Sequence, residues 1–166
     1  MEKDYNPVEY NNAVQCEVCG QLTFADDYGN TDKCPHCGWM QSPGNELLEQ
    51  WQGISYPMLV PLSRAREQYK AGQKFKATFE DFINGLKFYA EMLFWHGGTV
   101  YTVCRKSGGV RLSCKTFTQP YETIEEFYDH AHIGGRLLKD IWVEVVHPCY
   151  MYCGDPETDY EVSPQD

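Results

Sequence analysis

Cys16-Glu17-Val18-Cys19-Gly20 and Cys34-Pro35-His36-Cys37-Gly38-Trp39 repeat one pattern on either side of a polar spacer. In each, a Cys-x-x-Cys turn aims two sulfur atoms at one point. The glycine that follows permits the left-handed backbone that brings amide groups toward sulfur. Two such knuckles make a tetrahedral cage of Cys16, Cys19, Cys34 and Cys37, the donor set and geometry preferred by a structural zinc ion. The competing reading is two disulfides or two redox pairs. Eight cysteines in 166 residues are too few for a disulfide scaffold, and nothing in the sequence suggests an oxidising compartment.

Outward from the knuckles, Gln21-Leu22-Thr23-Phe24 reads as a short strand leaving the first. Asp26 to Asn30 is a turn cluster, and Thr31-Asp32-Lys33 returns to the second. That is a zinc-ribbon plan, two knuckles on short hairpins, with Trp39 as a hydrophobic lid. The expected units are a flexible arm over 1–15, the ribbon over 16–45, an α+β domain over 46–153 and an acidic mobile tail over 154–166.

Hydrophobic residues make up 42% of the chain and aromatic residues 14%, enough for a packed core. The first residues lack a basic region followed by an apolar run, and no apolar stretch approaches the roughly 20 residues of a membrane span. A cytoplasmic protein is therefore expected. The net charge of −10 is unevenly spread: residues 1–62 carry −7, residues 63–119 carry +6 and residues 120–166 carry −9. An acidic chain repels phosphate backbones at long range, which argues against general nucleic-acid binding. The basic middle could meet an acidic partner, or be neutralised by its own acidic flanks.

Beyond the ribbon, Asn45 reads as the cap of a short helix over 46–51. Ser55 to Pro61 is extended by its prolines, and Ser63 caps a helix that ends at Gly72. Here Cys34-Pro-x-Cys37-Gly-Trp39 and Leu62-Ser63-x-Ala65-Arg66-x-x-Tyr69-x-x-Gly72 resemble the bacterial cysteine-rich CPCC proteins. The resemblance spans Cys16 to Gly72. It departs from the family at Glu17-Val18, where Pro-Cys is usual, and at Met40-Gln41, where an acidic pair is common. It implies a zinc ribbon and carries no established activity.

Thr78 and Asp81 form a variant capping box, and Phe79, Phe82, Ile83, Leu86, Ala90 and Leu93 then recur at helical spacing. This predicts a helix over 79–95, stopped by Gly97-Gly98. Thr99 to Cys104 and Val110 to Phe117 read as strands joined through Ser107-Gly108-Gly109. A three-residue turn would place Val100, Cys104, Leu112 and Cys114 on one face. Thr123 with Glu126 forms a second capping box that opens a helix through Phe127 to His130, broken by Gly134-Gly135. Leu137 to Trp142 forms a short helix, and Val143 to Val146 a last strand ending at Pro148. The fold class is α+β, with a long amphipathic helix on an antiparallel sheet.

The remaining chemistry-bearing residues are scattered. Cys104 and Cys114 read as small core residues. His147, Cys149 and Cys153 could contribute to a second metal site, with His130 or His132 as a fourth ligand. His96, His130 and His132 are candidate general bases, the last two near Glu125, Glu126 and Asp129. No phosphate loop, dinucleotide fingerprint or Gly-x-Ser-x-Gly elbow is present. Arg105, Lys106, Arg111 and Lys115 stand in a stretch, 97–119, that has no acidic residue and carries Tyr101 and Phe117. That is the composition of a contact with nucleic acid or an acidic partner. The reading that follows is a non-enzymatic, zinc-stabilised binding or regulatory protein working through a protein partner. An inhibitor or accessory factor of a phage, mobile-element or defence system is one form of it. A nucleic-acid-associated regulator using the basic hairpin, or an unrecognised hydrolase, is the alternative.

Overall fold

The computed structural model describes residues 14–24, 33–40, 42, 44–107 and 109–150. The first elements are two short strands, β1 (Val14–Gln15) and β2 (Leu22–Phe24), paired antiparallel around the first knuckle. Three helices follow: α1 (Asn45–Gln52), α2 (Leu62–Lys70) and α3 (Phe79–Phe88). Then come strands β3 (Glu91–His96), β4 (Thr99–Lys106), β5 (Gly109–Ser113) and β6 (Thr118–Tyr121). Helix α4 (Ile124–His130), a small hairpin of β7 (His132–Ile133) and β8 (Arg136–Leu137), helix α5 (Leu138–Ile141) and a 3₁₀ turn (Trp142–Glu144) lead to β9 (Val146–Tyr150). The α+β class holds. The main sheet has five strands in the order β6-β5-β4-β3-β9. Of the arm expected over 1–15, residues 1–13 lie outside the described residues, as does the acidic tail over 154–166, while Val14 and Gln15 belong to β1.

The sheet's inner face carries Met92 and Phe94 of β3, Tyr101 and Val103 of β4, and Val110 and Leu112 of β5, all buried. Helix α3 lays Phe79, Phe82 and Leu86 against that face. Trp142 closes the gap, 5.0 Å ring to ring from both Phe79 and Phe82, and its indole N–H donates to the Ala77 carbonyl at 2.9 Å. Gly85 lets α3 approach closely, because a Cβ there would fall 2.9 Å from both Leu59 and Met92. The buried cluster is continuous from Cys16, Cys34 and Trp39 to Ile141 and Val145.

Several expectations are corrected. The helix predicted over 79–95 stops at Phe88. Tyr89 is extended, at φ −108° and ψ 133°, and Glu91 onward is strand. Leu93 and Phe94 continue the helical stripe by spacing, but the unbroken apolar run Met92 to Trp95 also fits a strand with both faces partly covered. Gly97 and Gly98 accordingly turn the β3–β4 hairpin. In the next hairpin Lys106 pairs with Gly109, so two residues connect the strands instead of three. The register then sets Val103 opposite Leu112 and Cys104 opposite Arg111. Val100, Cys104, Leu112 and Cys114 therefore do not share a face: Leu112 points into the core, and Val100 and Cys104 point away from it. Pro148 lies within β9 instead of ending a strand, which the edge position allows, since an edge strand does not need every N–H. Helix α4 ends at His130 as expected, while Gly134-Gly135, instead of only stopping a helix, turns the small hairpin.

Local capping chemistry sets α3 firmly. The Thr78 hydroxyl accepts from the Asp81 amide at 3.1 Å, and the Asp81 carboxylate accepts from the Thr78 amide at 2.8 Å. Arg64 of α2 grips the same carboxylate with both terminal nitrogens, the longer contact being 2.9 Å. Asp81 is buried, so removing it leaves an amide and a guanidinium without their acceptor. Asp81→Ala is expected to destabilise the fold by about 3 kcal/mol. Urea denaturation measures this, and a loss under about 1 kcal/mol would show that the box and its arginine contribute little.

Candidate metal centre

Each knuckle is built by the same two backbone bonds. The Cys16 amide donates to the Gln21 carbonyl at 2.8 Å, and the Gly20 amide donates to the Cys16 carbonyl at 2.9 Å. In the second copy the Cys34 amide donates to the Trp39 carbonyl at 2.8 Å, and the Gly38 amide to the Cys34 carbonyl at 2.9 Å. Gly20 and Gly38 take matching left-handed conformations, at φ 76° and 77°. The spacing of the motif thus becomes a pair of superimposable turns.

The turns face each other. Sγ of Cys16 lies 3.6 Å from Sγ of Cys37, and Sγ of Cys19 lies 3.7 Å from Sγ of Cys34. All four sulfurs lie within 4.8 Å of one another. A disulfide would need ~2.05 Å, so these are free thiols. A tetrahedron with metal–sulfur bonds of ~2.3 Å has edges of ~3.8 Å, close to the two short separations here. The donor set therefore fits one metal ion. Cys16 and Cys34 are buried and Cys19 and Cys37 half-buried.

Without a metal, this burial disfavours charge. It pushes the Cys16 thiol up to about 11, against opposing bonds from the Cys19 and Val18 amides, and it pushes Cys37 higher still. Metal loading must therefore expel protons.

The cage is tied to the helices through Glu17, the residue between the first two cysteines. One of its carboxylate oxygens accepts from the Trp39 indole at 2.7 Å and from the Asn45 side-chain amide at 2.6 Å. Its backbone carbonyl accepts from Nε of Arg66 at 2.8 Å. Burial raises the pKa of Glu17, and the bonds from Asn45 and Trp39 and the charge of Arg66 oppose that rise. Asn45 in turn accepts from the Tyr56 amide at 2.9 Å. Asn45 is thus a buried bridge and not the expected cap of α1, whose capping position is Gly44. Ser63 is likewise no cap: it lies inside α2, behind Pro61, and bonds to Glu49. Trp39 is wholly buried and meets Phe75 edge to face at 5.3 Å, so it joins ribbon to body.

The other candidates do not converge on a cleft. His96 bonds to Glu144 at 2.9 Å, and Glu144 is held below the usual carboxylate range first by Arg136 and then by His96. His130 and His132 are exposed, and Nδ1 of His132 meets the His130 carbonyl at 3.0 Å. Glu125 and Asp129 line a shallow depression of about 320 Å³ between α3 and α4 that includes no histidine. Cys104 is half-buried, and burial raises its pKa. Cys114 bonds to the Thr116 hydroxyl at 3.3 Å, which lowers its pKa. His147 and Cys149 belong to β9, and Cys153 lies outside the described residues. Arg105, Lys106, Arg111 and Lys115 are all exposed. The register gathers Arg105, Lys106 and Arg111 at one end of the sheet and leaves Lys115 beyond the other end of β5. Sequence reasoning missed the roles of Glu17 and Asn45, because no local pattern marks a partner 28 residues away.

No protein-family model, curated protein or solved structure matches this chain. No helix among the described residues is long and apolar enough to cross a membrane.

The cage geometry makes a testable demand. Metal analysis of the purified chain should give one ion per chain, and Cys16→Ser or Cys37→Ser should lose it. Affinity should fall as pH falls, because each thiol must ionise to bind. With the metal stripped, the sign is different. Cys16 moves from an ordinary 9.0 to about 11, so its share of stability is intact below pH 9 and is lost as pH climbs toward 11. A chain free of metal with a knuckle region unchanged by either substitution would refute the site.

Proposed function

We propose that this chain is a zinc-stabilised binding protein without catalytic activity, in which one zinc ion held by Cys16, Cys19, Cys34 and Cys37 fixes a surface for a protein partner. The observation that carries this reading is the closed, sulfur-only cage. Four thiolates complete a tetrahedron and leave no open position for water or substrate, as is typical of a structural ion. The CPCC-like motif points the same way and brings no activity with it.

The partner surface is supported by α1, whose buried Asn45 bonds directly to Glu17 of the first knuckle. On that helix Leu47 is 50% and Trp51 74% exposed, one helical turn apart. An exposed tryptophan beside a leucine is the kind of residue that dominates protein–protein affinity. A role as inhibitor or accessory factor in a phage or defence system remains one form of this reading.

A second reading has one observation in its favour. Arg105, Lys106 and Arg111 cluster at one sheet end, and among the described residues no ion pair joins them to an acid. Such a cluster suits a phosphate backbone, with binding that weakens steeply as salt rises.

Affinity capture from the native host separates the two. The zinc-loaded chain is expected to retain one protein in stoichiometric amount, and Trp51→Ala to lose it at least about tenfold. Retention of nucleic acid alone, abolished by Arg105→Glu with Arg111→Glu, would replace the first reading with the second. Turnover of a substrate by the metal-loaded chain would overturn both.

A further inference from the structure

We infer that Arg66 and Lys33 balance the charge of the loaded cage, one cation to each knuckle, and that together they set how firmly the metal is held. This rests on the zinc site proposed above and assigns two further residues to it. Loading the four cysteines releases their protons and leaves thiolates around a dication, a unit with two net negative charges. Glu17 brings a carboxylate to the same surroundings. A site whose ligands are buried or half-buried gains negative charge at a cost, and a cation close by offsets it by favouring thiolate over thiol.

The two knuckles repeat each other in backbone but take their cations from different places. In the second, Lys33 directly precedes Cys34 and pairs with Met40 in an isolated β-bridge across the turn. Its stem lies over the glycine that closes the turn: a Cβ built on Gly38 would fall 3.5 Å from Cε of Lys33. The ammonium is one bond further on, so it stands beside the second knuckle while Lys33 remains exposed.

In the first knuckle the matching position is Gln15, which carries no charge, and nothing lies within 4 Å of a Cβ built on Gly20. There helix α2 supplies the cation. Nε of Arg66 donates to the Glu17 carbonyl at 2.8 Å, and its charge acts on the Glu17 carboxylate. Glu46 of α1 accepts from Nη2 of Arg66 at 3.4 Å, an exposed contact that leaves the bond to Glu17 in place. Arg66 is thus a tie between α2 and the ribbon and also a counter-charge. Lys33 is a counter-charge reached through its stem alone, which makes it the cleaner test.

The full zinc-loaded chain competing with a chromophoric zinc chelator at neutral pH provides that test, at about 20 mM salt, where exposed charges interact over roughly 20 Å or more. Arg66→Gln should weaken zinc binding about tenfold or more, the usual cost of removing an outer partner of a metal site. Lys33→Gln should weaken it at least about threefold, less than Arg66 because Lys33 is exposed and partly screened. Lys33→Arg should restore it, since it returns the charge. Exposure of Lys33 means that neither change unfolds the chain. The gap between the natural chain and Lys33→Gln should close to less than about twofold at ~0.5 M salt. Equal affinity in those two chains, a Lys33→Arg chain as weak as Lys33→Gln, or a gap that salt leaves at full size overturns the inference while the zinc site stands. A natural chain that takes up no zinc overturns the site and the inference together.

Discussion

The convergence of four sulfur atoms from two turns about fifteen residues apart is the constraint on which the N-terminal half depends. The ribbon strands are only two and three residues long, too short to hold a shape through their own pairing. What fixes them is the meeting of the knuckles and the polar clasp behind it. Glu17 stands at the centre of that clasp. Its carboxylate takes donors from Trp39 on the second knuckle and Asn45 at the head of α1, and its carbonyl takes Arg66 of α2. The sulfur cage, the indole and two helices therefore share one residue, and the buried cluster runs through them without a break. Partial burial makes a carboxylate costly; here the Trp39 and Asn45 side chains donate to one of its oxygens and the charge of Arg66 opposes the cost.

The cage was legible because its chemistry is local in sequence. Cys-x-x-Cys-Gly encodes its own turn, and the two copies differ little in geometry. The Thr78–Asp81 box was legible for the same reason, since partners three residues apart find each other in any helix that starts there. The α3–β3 boundary was not. Phe79 to Trp95 repeats apolar residues densely enough to satisfy both a 3.6 period and a doubly covered strand, and only the pairing of Glu91–His96 with β4 and β9 decides between them. The β4–β5 register was misread because one residue more or less in the turn reverses every side chain, and glycines adorn both options. Asn45 illustrates a different failure. Its type suits a cap, but its partners, Glu17 and Tyr56, come from other segments of the chain.

The sheet divides the molecule's roles. Its inner face is an aromatic core in which Phe82, Phe94 and Trp142 meet at 5.0 to 5.8 Å. Its outer face carries cations at one end, and the edge strand β9 delivers the chain to that end. The ribbon and α1, with exposed Trp51, stand apart from that basic edge in the sequence and in chemistry. An apolar contact beside the metal cage and an electrostatic one on the sheet are thus separable properties, one set by the shape that sulfur imposes and the other by charge.

Amide hydrogen exchange on the full chain, compared with zinc bound and after chelation, tests the central claim most directly. If the cage and its Glu17 clasp hold this end of the molecule, the amides of Cys16, Gly20, Cys34 and Gly38 should lose protection on stripping. Those of α1 and the start of α2 should loosen with them, while the β3–β5 amides stay protected. Unchanged protection at Gly20 and Gly38 after complete removal of the metal would contradict the account, because those turns would then be holding themselves.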